Sequence, residues 1–414
     1  MKRESVHIIG AGVSGLVCAI VLEKAGFSPV ILEASDKIGG RLKTEMENGY
    51  PLDHGFQVLL TGYPSVKKYL NLKELNLIKL LPGAAVFRDG NQFKFGDPIR
   101  CLGFLPHLFL TKIASQNDKW KIFRLQAELK QLSVEEIFQR PELTTLEYLN
   151  KRGFSEQVIK CFFRPFYGGI FLESKLTTSS RMFEFVFKMF AEGNAAIPKG
   201  GMSEIPKQLF QKLNKTEIKY NSKVISIGDG ILYLDNGDKL STDNVVMAAE
   251  PPKNFLKSSL PEVKWKSCYN LYFEVDNNLL KKGLIGLCGN EGKLINNMFY
   301  PFKAFGIKKE HLISLTVIDF KSLEINVLIN NVIKELEQDY GIQNPTFIKS
   351  FFIPKALPVI KDLKYKITED KVCVSPGLFI AGDTQSNSSL NAAMLSGEVA
   401  ANAIINKQLK INLV

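Results

Sequence analysis

Between Val6 and Glu33 the chain can fold in very few ways. Val6-His7-Ile8-Ile9 is a short apolar, β-branched run of the kind that forms a buried strand. It stops at Gly10-Ala11-Gly12-Val13-Ser14-Gly15, after which Leu16, Ile20 and Leu22 continue in a helical pattern that Gly26 ends. Val30-Ile31-Leu32 is a second buried run, closed by Glu33. Strand, GxGxxG turn, helix, strand and acid together make a dinucleotide-binding unit. Gly10 allows the tight turn, Gly12 lets the main chain approach a pyrophosphate, and Gly15 lets helix and strand pack closely. The pyrophosphate then meets the free N–H groups around Ala11, Val13 and Ser14 and the positive end of the helix dipole. Glu33 stands eighteen positions beyond Gly15, close to the roughly 20 at which an acid binds ribose hydroxyls.

The segment after the second strand narrows the choice of cofactor. Glu33-Ala34-Ser35-Asp36-Lys37-Ile38-Gly39-Gly40-Arg41 resembles the second signature of the flavoprotein superfamily of amine oxidases, protoporphyrinogen oxidases and phytoene desaturases. The resemblance implies FAD, with Gly39 and Gly40 bringing the loop from Ala34 to Leu42 close to the pyrophosphate and Arg41 helping to neutralise it. A nicotinamide site has no need of such a loop. Leu52-Asp53-His54-Gly55-Phe56-Gln57 is similar to the family's Asp-x-Gly stretch, whose backbone runs beside the flavin ring. A glycine suits a place where the chain passes close to a flat cofactor. His54 is read here as a positioning residue, with a proton carrier as the alternative.

Further along, Pro198-Lys199-Gly200-Gly201-Met202 resembles the PxGGM turn of the desaturase and protoporphyrinogen oxidase branches. There the turn precedes a helix leading back to the flavin domain, here Glu204 to Leu213. Val224 matches a family valine whose backbone contacts the adenine. Ile231 to Leu234, Asn236-Gly237 and Val245 to Ala249 read as strand, turn and returning strand. Near the end, Leu378 to Ala381 delivers Gly382-Asp383, and a polar turn leads into a helix from Leu390 to Ile405. This resembles the family's carboxy-terminal flavin motif. It implies that Asp383 bonds near the ribitol and pyrophosphate, and that Ser388, Ser389 and Leu390 offer N–H groups to the pyrimidine end of the isoalloxazine. A helix start there stabilises negative charge on reduced flavin. Many relatives have Gly before Ala in this motif where this chain has Ala392-Ala393, a methyl that narrows the space beneath the flavin. No Cys or His lies between Asp383 and Ala403, so the FAD is expected to be non-covalent.

The middle of the chain carries no cofactor motif. Ile99 to Leu110 is greasy and reads as a buried helix broken by Pro106, with docking on a bilayer or admission of an apolar substrate as the alternatives. Phe183, Phe187 and Phe190 keep helical spacing within an aromatic-rich span from Phe154 to Phe190, which is mostly core with some rings lining an apolar pocket. Leu271 to Val275 and Leu312 to Ile318 alternate as strands, and a helix is expected from Leu323 to Leu336.

Composition adds exclusions. The net charge of +11 arises from lysines spread along the whole chain, without the basic block and interleaved aromatics of a nucleic-acid site. Six cysteines without a CxxC pair, and four dispersed histidines, argue against a zinc site or a disulfide framework and suit a reducing compartment. No metal site is expected. No apolar run reaches the ~18 residues of a membrane span and no leader precedes Val6, so the expected location is cytoplasmic, with peripheral membrane contact as the alternative.

The fold class expected is α/β: a Rossmann-like, doubly wound FAD-binding domain with an inserted α+β substrate domain. Residues 1–85, 206–256 and 366–414 would form the first, and 86–205 and 257–365 the second. The resemblance implies an FAD-dependent oxidoreductase removing hydride from a carbon of an apolar small-molecule substrate, desaturase-like or protoporphyrinogen-oxidase-like, with electrons passing to oxygen or a quinone. A flavin-dependent amine oxidase and a redox-neutral, carotenoid-isomerase-like flavoenzyme are the alternatives, beside a flavoprotein kept only as a binding module. Family amine oxidases usually place a lysine, through a water, at the reactive flavin nitrogen, and no lysine here matches that position by sequence. No catalytic residue is assigned, and the oligomeric state is not read.

Overall fold

Val6–Ile9 lies inside a six-stranded sheet whose order is Glu217–Lys219, Val30–Leu32, Val6–Ile9, Asn244–Met247, Leu378–Ile380 and Cys373–Ser375. Neighbouring strands run parallel, except that Cys373–Ser375 closes the edge antiparallel. The computed structural model describes residues 3–47, 49–251, 263–276, 278–281, 283–301, 311–318, 320 and 323–411. All four residues of Val6–Ile9 are buried, as a parallel sheet covered on both faces requires. Among them, His7 titrates below its ordinary value, pushed down by burial first and then by the nearby Lys219.

The first crossover helix, Val13–Lys24, packs against the carboxy-terminal helix, Leu390–Ile411. Their backbones come so close that a Cβ on Gly397 would stand 2.1 Å from the Ser14 carbonyl oxygen. The carboxy-terminal helix runs past the expected Ile405. The helix after the PxGGM turn is Glu204–Phe210, shorter than expected, with Leu213 N–H still reaching the Phe210 carbonyl.

One sequence expectation is corrected in this layer. The partner of Ile231–Leu234 across the Asn236-Gly237 turn is Lys239–Ser241, within a three-stranded antiparallel sheet that Val224–Gly228 completes. Asn244–Met247 instead joins the parallel sheet between Val6–Ile9 and Leu378–Ile380. Its four residues are all buried, whereas a strand of that small sheet keeps one wet face.

A second, seven-stranded sheet runs Thr346–Val359, Lys264–Glu274, Leu312–Val317, Ile295–Phe299, Ile285–Cys288, Gly83–Arg88 and Asn91–Gly96. Only Ile285–Cys288 and Gly83–Arg88 pair in parallel. Strand alternation sends Leu271, Phe273, Leu315 and Val317 to one face, where they meet Leu328, Val332 and Leu336 of the helix Ile325–Tyr340. That helix starts two residues later than its pattern suggests and continues to Tyr340, where Gly341 takes the left-handed conformation that ends helices.

Helices Gln116–Gln131, Val134–Gln139, Thr145–Lys151 and Ser180–Glu192 form a further layer, the first three opened by capping boxes on Ser115, Ser133 and Thr144. Phe163, Phe171, Phe183 and Phe185 are fully buried, while Phe187 and Phe190 are partly covered at the edge of the same cluster. Glu184 is buried among them and paired: the Tyr148 hydroxyl donates to it at 2.5 Å, and Arg140 lies at 3.3 Å. The stretch after Pro98 departs from the buried-helix expectation. Pro106 begins the helix Leu105–Leu110 rather than breaking one, and Ile99, Leu102 and Leu105 are exposed. A proline fits the first helical turn because the N–H it lacks would be unpaired there.

Candidate active site

Backbone conformation builds the nucleotide end. Gly10 holds φ +102° with its N–H donating to the Leu32 carbonyl, and a Cβ on Gly15 would fall 2.1 Å from the Gly10 oxygen. Gly12 caps the helix Val13–Lys24 without any side-chain hydrogen bond, so the first-turn N–H groups at Val13 and Ser14 face outward with the dipole behind them. Glu33 points back at this turn. One carboxylate oxygen accepts from the Ala11 N–H at 2.7 Å, the other from the N–H and hydroxyl of Ser35 at 2.9 and 2.7 Å. A carboxylate has lone pairs left over for ribose hydroxyls. Val224 is buried at the head of its strand, and the neighbouring Ser222 N–H donates to the Glu33 carbonyl at 2.8 Å.

The second glycine loop lies directly across from the first. Gly39 bridges to Gly12, with its N–H donating to the Ala11 carbonyl at 2.9 Å. Gly39 and Gly40 have φ +120° and +60°. The nearest atom to a Cβ built on Gly12 is the Gly40 Cα, 4.0 Å away. Two bare backbones therefore face one another beside an uncapped helix start, the cradle a pyrophosphate needs. The residues present fit FAD.

Arg41 and Asp383 join opposite ends of the chain. Their side chains form an ion pair, Asp383 buried and Arg41 about two-fifths exposed. The Arg41 guanidinium also lies 5.3 Å from the Trp265 ring centre. Gly382 adopts φ +138° and donates its N–H to the Ser396 hydroxyl at 2.8 Å. Ser388 is held at φ +50° with its hydroxyl on the Pro358 carbonyl, and Ser389 caps the helix by accepting the Ala392 N–H at 3.0 Å. Leu390 opens the helix, and Ala392 and Ala393 are both buried in its first turn.

The stretch from His54 to Gln57 adjoins the seven-stranded sheet. Gly55 has φ +97°, and a Cβ there would meet only Ile353, at 3.9 Å. The Phe56 ring packs at 5.3 Å against Phe299. The His54 ring stacks on Phe351 at 4.1 Å and bonds Glu45 at 2.8 Å, and Lys349 bridges Glu45 and Glu47. Those contacts hold the imidazole in place.

Two residues were missed by sequence reasoning. Asp53 accepts the Thr44 hydroxyl at 2.6 Å and the Met202 N–H at 2.9 Å, while the Thr44 hydroxyl accepts the Ser203 N–H. This knot fastens the PxGGM turn to the strand that leads into Gly55, and the Tyr272 hydroxyl ties it to the second sheet through the Asp53 carbonyl. Gly201 has φ +89°, and a Cβ there would strike Thr44. The second is Lys266. It lies on the strand Lys264–Glu274, and its Nζ donates to the Phe171 carbonyl at 2.9 Å and the Thr178 hydroxyl at 3.2 Å, with Glu173 at 3.4 Å. Burial pulls the Lys266 ammonium below its ordinary value, against the opposing pull of Glu173. Its partners come from another part of the chain, so no local signal singles it out.

The Asp53 knot predicts a pH effect. Burial raises its carboxyl to about 6, against the smaller opposing pulls of Thr44 and Met202. A folded value above the unfolded one means that the stability it contributes is complete below about pH 4 and lost as pH rises through about 6. The loss is on the order of 1–3 kcal/mol, discounted because the residue keeps some exposed surface. Asn preserves both acceptor contacts, so Asp53→Asn is expected to flatten this dependence and to be the more stable form near neutrality. Urea unfolding across that pH range checks it; parallel curves for the two proteins would refute the assignment.

A sequence profile of the family described as flavin containing amine oxidoreductase matches residues 13–405. The chain belongs to that family. This flavin-containing amine oxidoreductase is 22% identical to protoporphyrinogen oxidase 2, chloroplastic/mitochondrial, of Arabidopsis thaliana, over 98% of its own length and 94% of that protein. A shorter match of 104 residues, 34% identical, covers 23% of the chain and 18% of phytoene desaturase of Fusarium fujikuroi. Among solved structures, an oxidoreductase from Methanosarcina mazei superposes with a TM-score of 0.71 at 18% identity, over 95% of this chain and 98% of that one. The enzyme is an FAD-dependent oxidoreductase with an α/β fold.

Proposed function

We propose that the enzyme removes hydride from a carbon of a large apolar substrate, desaturase-like or protoporphyrinogen-oxidase-like, and passes the electrons to oxygen or a quinone. The observation that carries this reading is the apolar wall beside Gly55. Phe56 and Phe299 pack there with Leu80, Ile197 and Ile285, and Ile353 stands over Gly55 itself. Such a wall excludes water and orients a greasy molecule by shape. The similarity to a protoporphyrinogen oxidase and a phytoene desaturase points the same way.

When bound, FAD supplies the hydride acceptor. Its pyrophosphate would rest between Gly10 to Gly15 and Gly39 to Leu42, its ribose on Glu33 with Ala34 alongside, and its adenine against Val224. Gly382, Asp383, Ser388, Ser389, Leu390 and Ala393 would hold the ribitol and pyrimidine end, and His54, Gly55, Phe56 and Gln57 would flank the ring. The cofactor is held without a covalent bond. We assign nucleotide-binding segments 1–85, 206–256 and 366–414 and substrate segments 86–205 and 257–365, a division supported by the sheet that each segment mainly feeds, except that the first boundary cuts the strand Gly83–Arg88 of the seven-stranded sheet and the boundary after 256 lies outside the described residues.

Lys266 favours a second reading, oxidation of an amine. It is a half-enclosed lysine on the strand that also carries Tyr272, whose hydroxyl reaches the Asp53 carbonyl beside Gly55. An anaerobic absorbance titration of the holoenzyme separates the two. Polyenes or porphyrinogens are expected to bleach the oxidised-flavin band and small amines to leave it, with Lys266→Met reducing as fast as the parent. Bleaching by amines alone, slowed at least tenfold in Lys266→Met, would move the assignment to the amine reading.

A further inference from the structure

The stretch from Asp97 to Pro106 forms a fastened knob. Phe104 is its buried anchor: its ring fills the space against Gly83 and Gly96, where a Cβ at either position would stand within 2.6 or 2.8 Å of it. Arg100 ties the base down by donating to the carbonyls of Phe190 and Gly193 and to Asn194. Asp97 accepts the N–H groups of Ile99 and Arg100. The outward side of this well-held turn is apolar. Ile99 is 72% exposed, Leu102 77% and Leu105 50%, and the intervening Gly103 and neighbouring Pro106 are exposed as well. Three aliphatic side chains grouped outward on one well-fastened turn are the kind of apolar patch that marks an interaction surface.

The charges beside the knob say what covers it. Lys94 and Lys281 stand close enough to repel one another, and both bear on His107. From Asn91 to Gln131 there are seven Lys and Arg against three carboxylates. Of those three, Asp118 is buried on Ser115 and Ser155 and Glu128 is bound to Arg140 and Arg152, so neither offsets the surface charge. Apolar side chains projecting beside lysines that make no ion pair among the described residues are the features that seat a protein in the headgroup layer of an anionic membrane. A second copy docking through the same knob about a two-fold axis would bring this positive cluster toward its own image. We propose that the knob from Ile99 to Leu105, with Lys94 and Lys281, is a docking surface for an anionic phospholipid bilayer.

Vesicle co-sedimentation of the holoprotein tests this without turnover, so its failure leaves the reading of the reaction standing. Binding to phosphatidylglycerol-containing vesicles is expected, with little binding to pure phosphatidylcholine and release at high salt. Leu102→Asp and the pair Lys94→Glu, Lys281→Glu should each weaken it by about tenfold or more. Leu102 and Lys281 are exposed, so retained flavin absorbance verifies that the variants are folded. No binding, equal binding to neutral vesicles, or variants that bind like the parent would overturn the proposal. So would a knob-dependent dimer in sedimentation equilibrium that leaves vesicles untouched, which would assign the surface to a second copy instead.

Discussion

Gly12→Ala is expected to yield a folded protein that no longer retains FAD, whereas Gly15→Ala is expected to lose most of its fold. The two substitutions add the same methyl to the same turn. At Gly15 the new Cβ would stand 2.1 Å from the Gly10 carbonyl oxygen and 3.2 Å from Ile8. Backbone cannot yield there without separating the helix from the first strand. Overpacking a well-filled core typically costs 1–3 kcal/mol, and a clash with backbone at the centre of the parallel sheet lies at or above the top of that range. At Gly12 the backbone is at φ −74° and ψ 177°, open to any residue, and the nearest atom to the Cβ is 4.0 Å away. Apo stability should therefore move by less than about 1 kcal/mol. The methyl would occupy the gap facing Gly40, so FAD affinity should fall by about a hundredfold, roughly 3 kcal/mol. Flavin absorbance after gel filtration and thermal unfolding of the apoprotein distinguish the outcomes. A Gly12→Ala protein that stays yellow would remove the pyrophosphate from between the two loops.

That contrast explains why the nucleotide-binding end was legible in the sequence. Its demands fall on the backbone, and only glycine meets them, so Gly10, Gly15, Gly39 and Gly40 announce themselves at fixed spacing. Asp53 stands in the Leu52 to Gln57 motif, but its partner is the Met202 N–H, 149 positions away. Nothing local in the sequence reports such a contact. Lys266 was invisible for a related reason, because its significance depends on Phe171, Thr178 and Glu173, brought to it by a different part of the chain. The knob from Ile99 to Leu105 was misread because an apolar run signals burial on average, and only the anchoring of Phe104 decides which side chains go in. The strand at Asn244–Met247 shows the same limit. Its apolar run predicted a strand correctly, but pairing is chosen by the sheet that can bury both faces.

Arg41→Ala should lower the stability of the fold and the retention of FAD together. Arg41 pairs with Asp383, whose side chain is only 6% exposed. Removing the guanidinium leaves a carboxylate without its counter-charge inside the joint between the two ends of the chain. Breaking a fully buried pair costs about 3–5 kcal/mol. Arg41 is 39% exposed, so water offsets part of that, and about 2 kcal/mol is expected here. The loss should be largely recovered in Arg41→Ala/Asp383→Asn, where no charge is stranded, giving a coupling in the double-mutant cycle comparable to the single-variant loss. FAD retention should not be recovered with it. The double variant lacks the cation that follows the paired glycines in the chain, and on the proposed placement of FAD the pyrophosphate charge would go unanswered. Urea denaturation of the apoproteins reads the first quantity and flavin content the second. If stability and flavin content return together in the double variant, Arg41 serves only to balance Asp383. If stability alone returns, the arginine holds the fold and the cofactor by separate interactions of the same side chain.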